Sequence, residues 1–108
     1  MGVKLDCIRI PVEDTKKPEY LKKHPFGRIP TLEGEEGCIF ESVAIMRHIA
    51  RKAGKMYGNT PAETASIDQW LEYFISNYAP CSAVIVRTLL AYRYHTKVEY
   101  ELARKELF

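Results

Sequence analysis

An α/β half followed by an all-α half is the architecture predicted by three features of the sequence. The first is Ile29-Pro30-Thr31-Leu32-Glu33, Gly34-Glu35-Glu36-Gly37, Cys38-Ile39-Phe40, which reads as a strand, a glycine-bounded turn and a short buried strand. The second is a change of period at Glu41-Ser42, after which Ile45, Met46, Ile49, Ala50 and Ala53 recur at helical spacing. The third is that apolar residues beyond Thr60 follow helical spacing to the end of the chain.

Taken in order, Val3, Leu5 and Cys7 alternate with Lys4 and Asp6, and Ile8 and Ile10 flank Arg9, which predicts a strand over residues 3–12 beside a buried layer. Pro11 and Glu13-Asp14-Thr15 end it. Pro18 suits the first position of a short helix, with Tyr20 and Leu21 buried and Lys22 and Lys23 exposed, and that helix stops before His24-Pro25. Ile29 precedes proline, so its backbone is held extended and is free to pair. Ser42 is a good N-cap for a helix over 42–53, whose N-terminus favours an anion, and Gly54 ends it in a left-handed position with Arg51 and Lys52 in the last turn.

Residues 55–60 read as a linker. Thr60-Pro61-Ala62-Glu63 forms a capping box with proline at the first helical position. Ile67, Trp70, Leu71, Phe74, Ile75 and Tyr78 then mark a long amphipathic helix in which Trp70 is expected to anchor the core. Asn77-Tyr78-Ala79-Pro80 interrupts it. A second helix is expected from about Cys81 to Tyr94, buried through Val84, Ile85, Val86, Leu89, Leu90 and Tyr92. Thr96-Lys97-Val98-Glu99 opens a third, with Val98, Leu102 and Ala103 inward. The apolar Leu107-Phe108 in mid-pattern is the expectation for a fragment with further helices to follow, and marginal stability is expected of the chain alone.

The composition narrows the function. An apolar fraction of 46% with 28% charged residues is ordinary for a globular chain. The net charge of +2 argues against a dedicated nucleic-acid surface, and Lys16-Lys17 and Lys22-Lys23 are diluted by Glu13, Asp14 and Glu19. No apolar run approaches the ~20 residues a membrane helix needs. Cys7, Cys38 and Cys81 are widely spaced, as are His24, His48 and His95, so neither a disulfide framework nor a metal site is expected, and a reducing cytoplasmic setting is.

Pro25-Phe26-Gly27-Arg28-Ile29-Pro30-Thr31-Leu32, the hairpin, and Phe40-Glu41-Ser42-Val43-Ala44-Ile45 together resemble the glutathione site of the glutathione S-transferase family. The resemblance implies an incomplete fold of that family: a partial thioredoxin-like domain over 1–54, lacking its first strand and helix, a linker over 55–60, and the start of an α-helical domain over 61–108. It implies a cis Pro30, an Ile29 backbone that pairs with the cysteinyl part of glutathione, a Glu41-Ser42 pair that holds the γ-glutamyl end, and Arg28 beside the tripeptide. The same motif also builds the core of the fold where no glutathione is bound. Arg47 and Arg51 lie on a helix face that in the family partly meets a second subunit; solvated surface is the equal alternative. The family's catalytic residue lies at the start of the absent first helix, so no residue is assigned a catalytic role, and Tyr20 falls on the wrong element for it.

Within the family, Tyr57-Gly58-Asn59-Thr60-Pro61, Gln69-Trp70-Leu71 with Phe74, and Tyr94-His95-Thr96-Lys97 resemble the branch that forms the N-terminal domain of elongation factor 1-gamma. That implies an interaction module of a translation complex, with the exchange-factor subunits as partners and a vestigial or weak glutathione site. A theta-like glutathione transferase acting on electrophiles is the alternative. A scaffold domain of an aminoacyl-tRNA synthetase assembly ranks third.

Overall fold

The computed structural model describes residues 2–91 and 94–107. The chain forms two compact units, Met1–Asn59 and Thr60–Phe108.

In the first unit, residues 2–11 belong to no helix or strand. The strand expected over 3–12 is therefore not formed. A strand exists only through a neighbour's ladder, and the sheet among the described residues has two members, neither of them this segment. Val12–Lys16 instead makes a 3-10 turn, closed by the Thr15 hydroxyl donating to the Val12 carbonyl at 2.7 Å. Helix α1, Pro18–Leu21, is a single turn with proline at its start, and its Tyr20 and Leu21 are half-buried rather than buried.

Strands β1 (Thr31–Gly34) and β2 (Gly37–Phe40) pair antiparallel, with Thr31 opposite Phe40 and Gly34 opposite Gly37. The glycine-bounded turn falls where the sequence puts it. Only Ile39 and Phe40 are half-buried, and Cys38 is exposed, so β2 is covered at one end and not throughout. Helix α2, Ser42–Ala53, packs on both strands and buries Val43, Ile45 and Ala50. Gly54 ends it with φ 61°, its N–H donating to the carbonyls of Ala50 and Arg51. Ser42 is the first helical residue, not the cap. The cap position is Glu41, which has φ 69° and makes no side-chain capping bond.

In the second unit, α3 (Pro61–Tyr73) opens with the expected box: the Glu63 N–H donates to the Thr60 hydroxyl at 3.2 Å, and the Thr60 N–H to the Glu63 carboxylate at 3.1 Å. The expected interruption at 77–80 is a widened π turn over Phe74–Tyr78 that runs directly into α4, Ala79–Leu89. Pro80 explains the difference. In a regular helix its ring meets the carbonyl four residues back; with the Ala79 N–H bonded to the Phe74 carbonyl, the turn widens and the chain stays helical. Helix α4 ends five residues short of the expected Tyr94, Ala91 having φ 55°, and Tyr92 lies outside the described residues.

Helix α5, Lys97–Leu107, packs on α4 and repeats the box through Thr96 and Glu99, at 3.2 and 2.7 Å. Its Ala103 is buried as expected, whereas Val98 and Leu102 are exposed. Trp70 is 67% exposed and touches Tyr73 edge-on, so it is not a core anchor. Val84 and Ile85 are half-buried, and Val86, Leu89 and Leu90 are exposed. Helical periodicity identifies the side that suits a neighbour, and these helices present more apolar side than α4 and α5 cover for each other.

Candidate functional site

The hairpin register defines the site. Because Thr31 and Phe40 are partners, the residues just outside them, Ile29-Pro30 on one side and Glu41-Ser42 on the other, flank the same end of the sheet. The Ile29–Pro30 peptide is cis, as the family pattern implied. Ile29 is exposed, and no backbone hydrogen bond ties it among the described residues, so its N–H and carbonyl present an open pairing edge. Across from it, the first intrahelical bond of α2 runs from the Ile45 N–H to the Glu41 carbonyl. The N–H groups of Ser42, Val43 and Ala44 precede that bond, and no acidic residue occupies the first turn to neutralise the helix dipole. An extended edge and an anion-receptive helix end thus meet at one end of the hairpin, with Arg28 exposed beside them.

Glu41 is a non-glycine residue in the left-handed region, a conformation that is sterically disfavoured and concentrates at ligand clamps. It is the single residue between the end of β2 at Phe40 and the start of α2 at Ser42.

The loop that carries Arg28 and Ile29 is fastened from below by side chains the sequence reading left out of the site. His24 is only 1% exposed and lies 4.8 Å from the ring of Phe40 and 6.5 Å from that of Tyr20. Its Nδ1 accepts the Phe26 N–H at 3.3 Å. The Lys16 ammonium donates to the carbonyls of Phe26 and Gly27 at 3.2 and 3.0 Å. The Tyr20 hydroxyl lies 2.8 Å from the Arg28 carbonyl and 2.9 Å from the Thr31 hydroxyl. The Lys23 ammonium reaches both Glu33 oxygens at 2.8 Å, which ties the segment after α1 to β1 and raises the Lys23 pKa through that bond. Their one sequence signal was the pair of rings four residues apart, Tyr20 on α1 and His24 just beyond it.

Of the remaining predicted positions, Arg51 lies 4.4 Å over the Tyr57 ring and donates to its hydroxyl at 2.8 Å, which fixes the last turn of α2 to the segment that follows. Arg47 is half-buried on the same helix. Among the described residues no cluster of His, Cys, Asp or Glu could hold a metal ion, and no helix is long and apolar enough to cross a membrane.

The family model of the glutathione S-transferase N-terminal domain matches residues 2–51. A solved glutathione transferase, URE2P6 from Phanerochaete chrysosporium in complex with oxidized glutathione, superposes with a TM-score of 0.80 over 98% of this chain and 52% of its own, at 25% identity. The chain has a glutathione S-transferase-like fold, with a partial thioredoxin-like half followed by helices.

Within that class its curated relatives are elongation factor 1-gamma proteins. That of Trypanosoma cruzi is 47% identical over 64 residues, 56% of this chain, and that of Homo sapiens is 32% identical over 96 residues, 88% of this chain. The chain spans 16% and 22% of the length of these two relatives.

Proposed function

We propose that the chain is a cytoplasmic, glutathione S-transferase-like interaction module of an elongation factor 1 complex, dividing into a thioredoxin-like part over 1–54, a linker over 55–60 and a helical part from 61. The observation that carries this reading is the 47% identity with elongation factor 1-gamma from Trypanosoma cruzi over 64 residues. Its partners would be the exchange-factor subunits of that complex, with Arg47 and Arg51 on the α2 face as candidates for a subunit contact.

In the same reading, Arg28, Ile29, Pro30, Glu41 and Ser42 form a weak glutathione site. The residues present suit the tripeptide: the open backbone edge at Ile29 matches a peptide backbone, and the uncapped N-terminus of α2 matches a carboxylate. The fit of URE2P6, with its bound oxidized glutathione, at a TM-score of 0.80 favours a second reading, a transferase that conjugates glutathione to electrophiles.

The test is co-elution of the native polypeptide with the exchange-factor subunits on size exclusion, together with turnover of glutathione and a chloronitrobenzene. Stable co-elution without turnover is expected. Turnover without co-elution would replace the first reading by the second.

A further inference from the structure

We infer that Tyr20 is a positioning residue for the pairing edge at Ile29, an inference that rests on the glutathione site proposed above. Its hydroxyl spans the Ile29-Pro30 dipeptide, contacting the Arg28 carbonyl on one side at 2.8 Å and the Thr31 hydroxyl on the other at 2.9 Å. A phenol carries a single proton. The carbonyl can only accept, so Tyr20 gives its proton to Arg28, and the Thr31 hydroxyl in turn donates to the Tyr20 oxygen.

The consequence is geometric. Arg28 and Thr31 bracket the two residues that carry no other backbone tie, and both are pinned to one atom on α1. Thr31 is also the first residue of β1, held opposite Phe40, so the Tyr20 oxygen links the loop to the sheet register. Tyr20 itself is held by its ring beside the buried His24, 6.5 Å away and nearly parallel at 21°. Lys16 fastens the preceding carbonyls of Phe26 and Gly27, leaving the exit of the loop to Tyr20.

The role is distinct from thiol activation. A hydroxyl whose proton is committed to a backbone carbonyl has none to offer a ligand's sulfur. Tyr20 acts on a ligand through the Ile29 backbone, and its removal should loosen that edge while leaving the aromatic packing in place.

The experiment uses the native polypeptide carrying this chain, the variants Tyr20→Phe and Thr31→Val, and their double mutant. Glutathione affinity is read by calorimetry, and amide hydrogen exchange of residues 27–32 is read without ligand. Loss of one or two net hydrogen bonds corresponds to about three- to tenfold weaker glutathione binding by Tyr20→Phe, with a double mutant no weaker than the worse single variant. Glutathione methylated on its cysteinyl amide nitrogen, which cannot donate to an Ile29 carbonyl, should show a smaller difference between wild type and Tyr20→Phe than glutathione does. Exchange over residues 27–32 should quicken in Tyr20→Phe.

Wild-type binding that Tyr20→Phe leaves unchanged overturns the inference and spares the site. Absence of wild-type binding overturns the site, and the exchange data then decide by themselves whether Tyr20 holds the loop. Unchanged exchange refutes that too.

Discussion

Gly27 offers the sharpest test of how the loop is held. It sits at φ +57°, and a Cβ added there would lie 2.6 Å from the Thr15 carbonyl oxygen, 3.0 Å from the Lys16 ammonium and 3.1 Å from a Leu21 methyl. Two separate penalties follow for Gly27→Ala. The left-handed backbone costs an L-residue roughly 1 kcal/mol. The contact with Thr15 is with backbone inside a 3-10 turn, which cannot swing aside as a side chain would, and relieving such overpacking costs about 1–3 kcal/mol more.

Gly54 supplies the control, because it has nearly the same φ, +61°, with nothing within 4 Å of the added Cβ. Gly54→Ala should therefore show the backbone penalty alone. Amide hydrogen exchange of peptides over residues 12–31 reads the local free energy directly. The Gly27→Ala excess of about 1–3 kcal/mol corresponds to roughly 5- to 150-fold faster exchange there, while Gly54→Ala accelerates exchange only around the end of α2. If Gly27→Ala and Gly54→Ala weaken their surroundings equally, the close approach of the loop to Thr15 is wrong.

Other perturbations test the helical unit and the loop anchors. Thr60→Ala removes the hydroxyl that accepts the Glu63 N–H, one half of the α3 capping box, and should destabilise that helix by ~1 kcal/mol, seen as lost helicity in far-ultraviolet circular dichroism; Thr96→Ala should do the same for α5. The Cys81 thiol donates to Glu106 at 2.9 Å, and this bond, chiefly, raises its pKa. The interaction thus supports the α4–α5 packing below the thiol's ordinary pKa and is lost as pH rises through the elevated one. Glu106→Gln should accordingly speed alkylation of Cys81 by iodoacetamide at pH 8, with peptide mass spectrometry as the readout and an unchanged rate as the refuting result. Trp70 is the single tryptophan, and at 67% exposure its fluorescence in this chain should be readily quenched by iodide; a shielded tryptophan would contradict the exposed face of α3.

What was legible in the sequence is what short-range chemistry decides. Gly34 and Gly37 bound the turn because the chain reverses there, and Ser42 to Ala53 could be delimited because a strand ends before it and a left-handed glycine follows it. The Thr60 and Thr96 boxes were readable because both partners of each bond lie within three residues. The strand expected over 3–12 failed for the complementary reason: alternation assigns residues to faces, and a ladder also needs a neighbour that no local pattern supplies. Trp70, Val98 and Leu102 failed in the same way, since periodicity fixes the side of a helix and not what covers it. In the site, Ile29, Pro30, Glu41 and Ser42 were legible as a motif. Lys16 and Tyr20 were not, because their partners lie eight to eleven residues away along a loop whose path only the fold defines.

The hydrogen bonds of Tyr20 also bear on the choice between an interaction module and a transferase. Conjugation needs a group beside the glutathione sulfur that favours thiolate at neutral pH, since a free thiol has a pKa of about 8.5. A tyrosine near the Ile29 edge is the obvious candidate, and Tyr20 is near it. Yet its proton is committed to the Arg28 carbonyl and its oxygen to the Thr31 hydroxyl. Recruiting Tyr20 to a sulfur would break the two contacts that hold the edge to which the ligand pairs, so binding and activation would compete for one hydroxyl. A transferase built on this chain must therefore draw its thiolate donor from another residue, whereas an interaction module needs none. Tyr20→Phe separates the two demands: in the module it weakens glutathione binding and leaves partner binding intact, and in a transferase it raises KM while the pH dependence of kcat stays where it was.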